Sequence, residues 1–185
     1  MRLKNKIAII TGAASGFGKG IAKKFSKEGA KLILVDINKD LLEKVSQDLN
    51  QEFFHTDVSS SSSMQKLADY VLKKYETIDI MVNNAGITHL PKPLEEVSEE
   101  EFDKTFAVNS KSVYLCGKFF VPHMKKQKKG SILNISSTAG ISPRPNLNWY
   151  NATKGWVITA TKAMAVELAP FNVRVNSLAP VAGET

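Results

Sequence analysis

Cysteine occurs once in the 185 residues, at Cys116, and arginine only at Arg2, Arg144 and Arg174. A lone cysteine excludes an internal disulfide, and its place in an apolar helical run marks it as a core residue. No apolar run approaches the ~20 residues needed to cross a bilayer. The start, Arg2 to Ile10, has the basic-then-apolar order of an export signal. Its apolar part stops at Thr11-Gly12, too early for one. A cytoplasmic protein with no membrane partner is therefore expected. Scarce arginine also argues against nucleic acid, whose base edges that side chain commonly reads. The formal charge of +7 comes almost entirely from lysine. The one dense run, Lys125-Lys126-Gln127-Lys128-Lys129, stands where a helix should end before Gly130, and cations there complement the helix dipole. It reads as a solvated helix end, with no nucleic-acid partner. No metal site is expected either.

What is present is ordinary globular material, 43% hydrophobic and 23% charged. The length suits one domain that buries enough surface to need no staple. Short β-branched runs alternate with helical patterns. Strands are expected over Lys6–Ile10, Leu32–Val35, Phe53–His55, Ile78–Val82, Ile132–Ile135 and Val173–Leu178. Helices are expected along the stripe Ile21, Ala22 and Phe25 to near Glu28, from Asn38 to about Leu49, through Met64 to Val71, from Ser98 to about residue 126, and from Tyr150 to about Ala169. Ser98 and Glu101 have capping-box spacing. Alternation of this kind predicts a parallel sheet with helices on both faces. Asp36, Asp57, Asn83, Ser137 and Pro180 all follow the C-terminal ends of predicted strands, where an open α/β sheet binds ligands. The helix through Phe106 and Val121 is apolar nearly all round, so one side should cover the sheet and the other should meet a second subunit.

The first strand runs straight into Thr11-Gly12-Ala13-Ala14-Ser15-Gly16-Phe17-Gly18 and then a helix. Glycines let backbone approach a ligand closely, and the new helix N-terminus can hold a pyrophosphate. The spacing fits neither a P-loop nor the compact G-x-G-x-x-G. Asp36, closing the second strand, suits ribose hydroxyls. Tyr150 and Lys154 are four apart and share a helix face. An ammonium beside a phenol favours the phenolate, and a Ser137 hydroxyl could fix a substrate oxygen beside it. Together they could form an acid–base site for a C–O group. Taken alone, such a pair is more readily two unrelated surface residues.

In this order and at these strand ends, the motifs resemble the short-chain dehydrogenase/reductase family across the whole chain. They are Thr11-Gly12-x-x-x-Gly16-x-Gly18, Asp57-Val58, Asn83-Asn84-Ala85-Gly86, Asn109, Asn134-Ile135-Ser136-Ser137 and Tyr150-x-x-x-Lys154. The resemblance implies a Rossmann-type doubly wound parallel sheet in three α/β/α layers. It also implies NAD(P)-dependent interconversion of an alcohol with a ketone or aldehyde. By the same resemblance, Tyr150 would be the general acid–base. Lys154 would support it and hold the nicotinamide ribose. Ser137 rather than Ser136 would orient the substrate, and Asn109 would hold a relay water. Gly12, Ser15, Gly16, Phe17, Gly18 and Asp36 would contact the cofactor, with Asp57 and Val58 at the adenine. Asn84, Ala85, Gly86, Tyr150, Lys154, Pro180 and Thr185 would complete its site. The two long helices would form the contact of a homo-dimer or homo-tetramer.

Pro180-Val181 stands where the family commonly has Pro-Gly. The family also usually continues further. Residues 1–185 are thus expected to form one dinucleotide-binding and catalytic domain of about six strands, with a seventh beyond the given C-terminus and the family's C-terminal part lacking. Asp36, with Ser15 and Ile37 in place of basic neighbours, favours NAD over NADP; Lys39 is the nearest cation. A nucleotide-binding relative without turnover is the alternative, although such a protein has no need of Ser137 and Tyr150. His89, Leu90, Arg144, Asn146, Leu147, Asn148 and Trp149 flank the expected pocket. Arg144 could bind an anionic substrate, but the plainer readings are a solvated loop cation for Arg144 and a structural imidazole for His89, and the substrate is not legible.

Overall fold

Each apolar run from the sequence becomes a strand of one sheet. The computed structural model describes residues 1–181, so the cofactor contact expected at Thr185 lies outside the described residues. The strands are β1 (Ile7–Thr11), β2 (Lys31–Asp36), β3 (Glu52–His55), β4 (Ile80–Asn83), β5 (Gly130–Ile135) and β6 (Val173–Leu178). They pair in parallel in the order β3-β2-β1-β4-β5-β6. The order reverses between β1 and β4, and a crevice opens there beyond the strand C-termini.

The helices are α1 (Gly16–Lys27), α2 (Lys39–Leu49), α3 (Ser61–Tyr75), α4 (Glu99–Phe106), α5 (Ser112–Gln127) and α6 (Asn148–Leu168). Alternate residues of β1 point to opposite faces. Ile7 and Ile9 pack with Met64 and Leu67 of α3, Phe120 and Met124 of α5, and Leu168 of α6. Ala8 and Ile10 pack with Ala22 of α1 and with Leu42 and Val45 of α2. Both faces of the central strands are therefore dry, as continuous apolar strand runs require. Cys116 lies in the first of these layers with no exposure, and burial pushes its thiol up to about 12. No described helix is long and apolar enough to cross a membrane.

Helix starts follow local chemistry. Asn38 accepts from Leu41 N at 3.1 Å. Ser98 and Glu101 close a reciprocal capping box at 3.2 and 3.0 Å. Three expectations need correction. Strand four begins at Ile80 rather than Ile78, because the Asp79 carboxylate turns to Ile7 N, Lys6 and Lys129 at the sheet's lower end. The helix after Ser98 is not α-helical throughout, since its middle, Ala107–Lys111, winds as a π-turn between α4 and α5. The helix bearing Tyr150 starts two residues earlier, at Asn148. In the lysine-rich end of α5, Lys125 pairs with Glu167 at 3.0 Å and Lys129 with Asp79 at 2.8 Å.

Candidate active site

Thr11, at the end of β1, is the knot of the crevice. Its hydroxyl donates to Val82 O at 3.3 Å and accepts from Asn84 N and Ala85 N at 3.0 Å each. The Asn84 amide reaches back to Thr11 O at 2.9 Å and Gly12 O at 3.2 Å. The Asn-Asn-Ala-Gly run is thereby stapled across to the glycine loop. Gly12 has a left-handed φ of 65°, and a Cβ there would stand 2.8 Å from Asn84 Nδ2. A Cβ on Gly18 would meet Gly12 O at 1.9 Å. Both glycines are thus required by packing within the loop.

Beside this loop lies a cleft of about 580 Å³, lined by Gly12, Ser15, Gly16, Phe17, Asp36, Asp57, Val58, Asn84, Ala85 and Gly86. Among the described residues nothing accepts from the N–H groups of Gly16, Phe17 and Gly18, and the first turn of α1 has no acid. Ser15 leads into that turn with no capping bond from its hydroxyl. A helix start with free donors and no competing carboxylate fits a pyrophosphate. Asp36 is pinned by Ala14 N at 3.0 Å and Asn38 N at 2.9 Å, one bond to each oxygen. Lone pairs remain on both oxygens for ribose hydroxyls. Asp57 accepts from Ser59 N and Oγ at 2.9 and 2.6 Å. The donor set therefore fits a dinucleotide. Ile37, Thr56, Lys104 and Val108 also line this cleft. No local pattern marks the last two, which reach it across the fold from α4 and the π-turn.

A second cleft of about 450 Å³ shares Phe17, Asn84, Gly86 and Ile87 with the first and holds Ser137, Tyr150, Lys154 and Pro180. The two serines part here. Ser136 is buried and donates to Lys154 O at 2.8 Å, tying β5 to α6. Ser137 accepts from Ala139 N at 3.1 Å, and its proton has no acceptor among the described residues. The Tyr150 hydroxyl likewise has no partner among them. Lys154 is 5% exposed, lies 5.9 Å from the Tyr150 ring centre and donates to Ile135 O at 3.0 Å. Burial pushes its ammonium down to about 8.

Asn109, central to the π-turn, accepts from Ile87 N at 2.9 Å. It donates to Ile87 O at 2.9 Å and Thr153 Oγ1 at 3.0 Å. Both amide hydrogens are taken, so the side chain clamps the loop after β4 to α6. Thr153 in turn donates to Tyr150 O at 2.7 Å. Behind these lies a buried ladder in which Asn83 donates to Asn134 at 2.8 Å and Asn134 to Thr161 at 2.9 Å. Thr11, Thr153 and Thr161 carry the site's rigidity without any sequence spacing that announces it.

The short turn Thr138–Gly140 packs directly on α6. A Cβ on Gly140 would stand 2.6 Å from the Lys154 carbonyl carbon and 2.7 Å from Gly155 N. Neither backbone can yield locally. Gly140→Ala is expected to cost about 1–3 kcal/mol as an overpacking substitution. It should also separate Ser137 from Tyr150. A lowered urea midpoint together with a lowered kcat would show both effects; an unchanged midpoint would contradict the contact.

A family model described as short chain dehydrogenase matches residues 6–185. The chain is 38% identical over 190 residues to 4-formylbenzenesulfonate dehydrogenase of Comamonas testosteroni, covering 100% of this chain and 75% of that one. It superposes with a TM-score of 0.95 on 3-ketoacyl-(acyl-carrier-protein) reductase from Brucella melitensis complexed with NADH, at 46% identity and covering 98% of this chain and 77% of that one. A metagenomic short-chain oxidoreductase in complex with NADP gives a TM-score of 0.94 at 34% identity, covering 97% and 84%.

Proposed function

The chain belongs to the short-chain dehydrogenase family and is an oxidoreductase of alcohols and carbonyls; from that premise we propose that Tyr150 is its general acid–base and that one domain carries both cofactor and chemistry. The observation that carries this is the cleft in which the free hydroxyls of Ser137 and Tyr150 meet a buried ammonium, continuous with the dinucleotide groove. The nicotinamide supplies or accepts the hydride. In oxidation, Ser137 donates to the alcohol oxygen and holds it, while Tyr150 Oη, as the phenolate that the neighbouring Lys154 ammonium favours, takes its proton. Lys154 keeps positive charge beside the phenol and has two hydrogens left for ribose hydroxyls. Asn109 and Thr153 fix the Tyr150 backbone from behind. A panel of alcohols offered to the intact protein with NAD, followed by absorbance of the reduced cofactor, tests this. No reduction of cofactor that is demonstrably bound would favour a binding role.

We assign NAD as the preferred cofactor. Asp36 presents its carboxylate to the groove from two backbone bonds, and a 2′-phosphate there would face like charge. Lys39, the nearest cation in sequence, lies 3.7 Å from Glu43 and does not line the groove. Like charges a few ångströms apart cost about 4 kcal/mol at an effective dielectric near 20, so even a largely screened repulsion should give a ~10²-fold preference in kcat/KM. A preference for NADP would sink the assignment.

We also propose a homo-oligomer through α4, α5 and α6. Tyr114 and Trp156, 55% and 38% exposed, line a largely apolar groove of about 340 Å³. Phe106, 40% exposed, meets the Trp156 ring edge-on, and Phe102, 39% exposed, stacks on Phe106. Phe119 packs against the core, so Tyr114 is the cleaner probe. Tyr114→Glu should convert the oligomer to monomers in light scattering. A parent protein that is already monomeric would contradict the proposal.

A further inference from the structure

The cleft around Tyr150 has a wall that proton transfer and cofactor binding leave unexplained. Residues 141–147 bridge the turn after Ser137 to the start of α6, and their backbone is held at several points. Asn151, itself 6% exposed, donates through Nδ2 to Arg144 O at 2.7 Å and through N to Leu147 O at 2.8 Å. Lys92 N donates to Asn146 O at 3.1 Å, joining this loop to the one after β4. That second loop is anchored in turn, because Lys92 Nζ reaches both oxygens of Glu101 at 2.9 and 3.0 Å. Arg144 thus stands on a fixed backbone.

Arg144, an exposed residue, lines the same cleft as Ser137 and Tyr150. It forms no ion pair among the described residues. The described lining carries two cations, Arg144 and Lys154, and no carboxylate. Lys154 is already bonded to Ile135 O next to Tyr150, which leaves Arg144 as the charge facing the rest of the substrate. The remaining lining is largely apolar, including Phe17, Ile87, Ala139, Leu147 and Val181. A guanidinium presents a planar fork of donors that matches a carboxylate or sulfonate. A neutral alcohol would leave that fork unused.

We propose that Arg144 is a specificity-determining residue that binds an anionic group on the substrate. The substrate class is then a small hydroxy- or oxo-acid, with its reacting C–O at Ser137 and Tyr150 and its anion at Arg144. This rests on the reaction assigned above and narrows it.

The test uses a pair of carbonyls differing only in charge, 4-carboxybenzaldehyde and its methyl ester, reduced with NADH by the intact protein. The acid should be favoured roughly ten- to hundredfold in kcat/KM, mostly through KM, as expected for charge-assisted bonds. The preference should weaken with added salt. Arg144→Gln should bring the ratio toward one, and Arg144→Lys should keep part of it. Preference for the ester, or a ratio that survives Arg144→Gln, overturns the inference. Binding of benzoate against benzamide to the NADH complex, read by fluorescence, separates the two levels. If neither aldehyde reacts but benzoate is held in an Arg144-dependent way, the anion site stands and the reaction assignment falls. Benzoate binding indifferent to Arg144 removes the inference itself.

Discussion

Replacing Lys154 by methionine is expected to stabilise the cofactor-free fold while removing turnover. Burial moves this ammonium from 10.5 down to about 8. At about 1.4 kcal/mol per pH unit, charging it in place costs roughly 3 kcal/mol. Methionine has similar reach, no charge and a flexible apolar chain that fills such a site. It forfeits the bond to Ile135 O, worth about 1 kcal/mol, so a net gain of about 2 kcal/mol is expected at pH 7. The sign of the pH dependence follows from linkage. Below about 8 both folded and unfolded chains carry the proton, and the full cost applies. Between 8 and 10.5 the unfolded chain holds a proton that the folded chain lacks, so wild-type stability rises with pH there. The advantage of Lys154→Met should shrink by about 1 kcal/mol between pH 7 and 9. Thermal melts of both proteins at the two pH values check this. A variant less stable than wild type at pH 7 would contradict it. Turnover should fall by ~10² or more, since the charge beside the phenol is gone. Cofactor affinity should fall too.

Tyr150→Phe isolates the proton step. The ring remains to pack at the cleft, and its hydroxyl has no partner among the described residues, so stability should change little. Positioned acid–base catalysis contributes roughly 10²–10⁴ in rate, and kcat should drop by about that factor. Cofactor binding should barely move, because the donors around Ser15 to Gly18 and the Asp36 carboxylate are untouched. The contrast with Lys154→Met is diagnostic, since one change removes the proton acceptor alone and the other removes both the charge beside it and a ribose donor. Near-normal turnover by Tyr150→Phe would assign the proton to another group.

The sheet is legible in the sequence because its strands are buried on both faces and read as unbroken apolar runs such as Ile7–Ile10 and Leu32–Val35. The Tyr150–Lys154 pair is legible from its four-residue spacing, and the resemblance supplied its context. The π-turn at Ala107–Lys111 is not, because apolar residues continue through it and its cause is tertiary. Asn109 must reach Ile87 and Thr153 at once, and neither partner is adjacent in sequence. The start of β4 shifts for a similar reason, since Asp79 answers to Lys6 and Lys129. Arg144 is expected beside the pocket from its place between Ser137 and Tyr150, but loops carry no periodicity, so nothing local reveals that Asn151 holds its carbonyl.

The most direct test of the central claim is isotopic. The intact protein is incubated with NAD and alcohols deuterated at the carbinol carbon, and the reduced cofactor is examined by mass spectrometry. Direct transfer in this cleft predicts deuterium retained in the reduced nicotinamide, one label per carbonyl formed, and none with Tyr150→Phe on the same timescale. Bound cofactor that is never reduced, or reduced cofactor whose hydrogen comes from solvent, would contradict it.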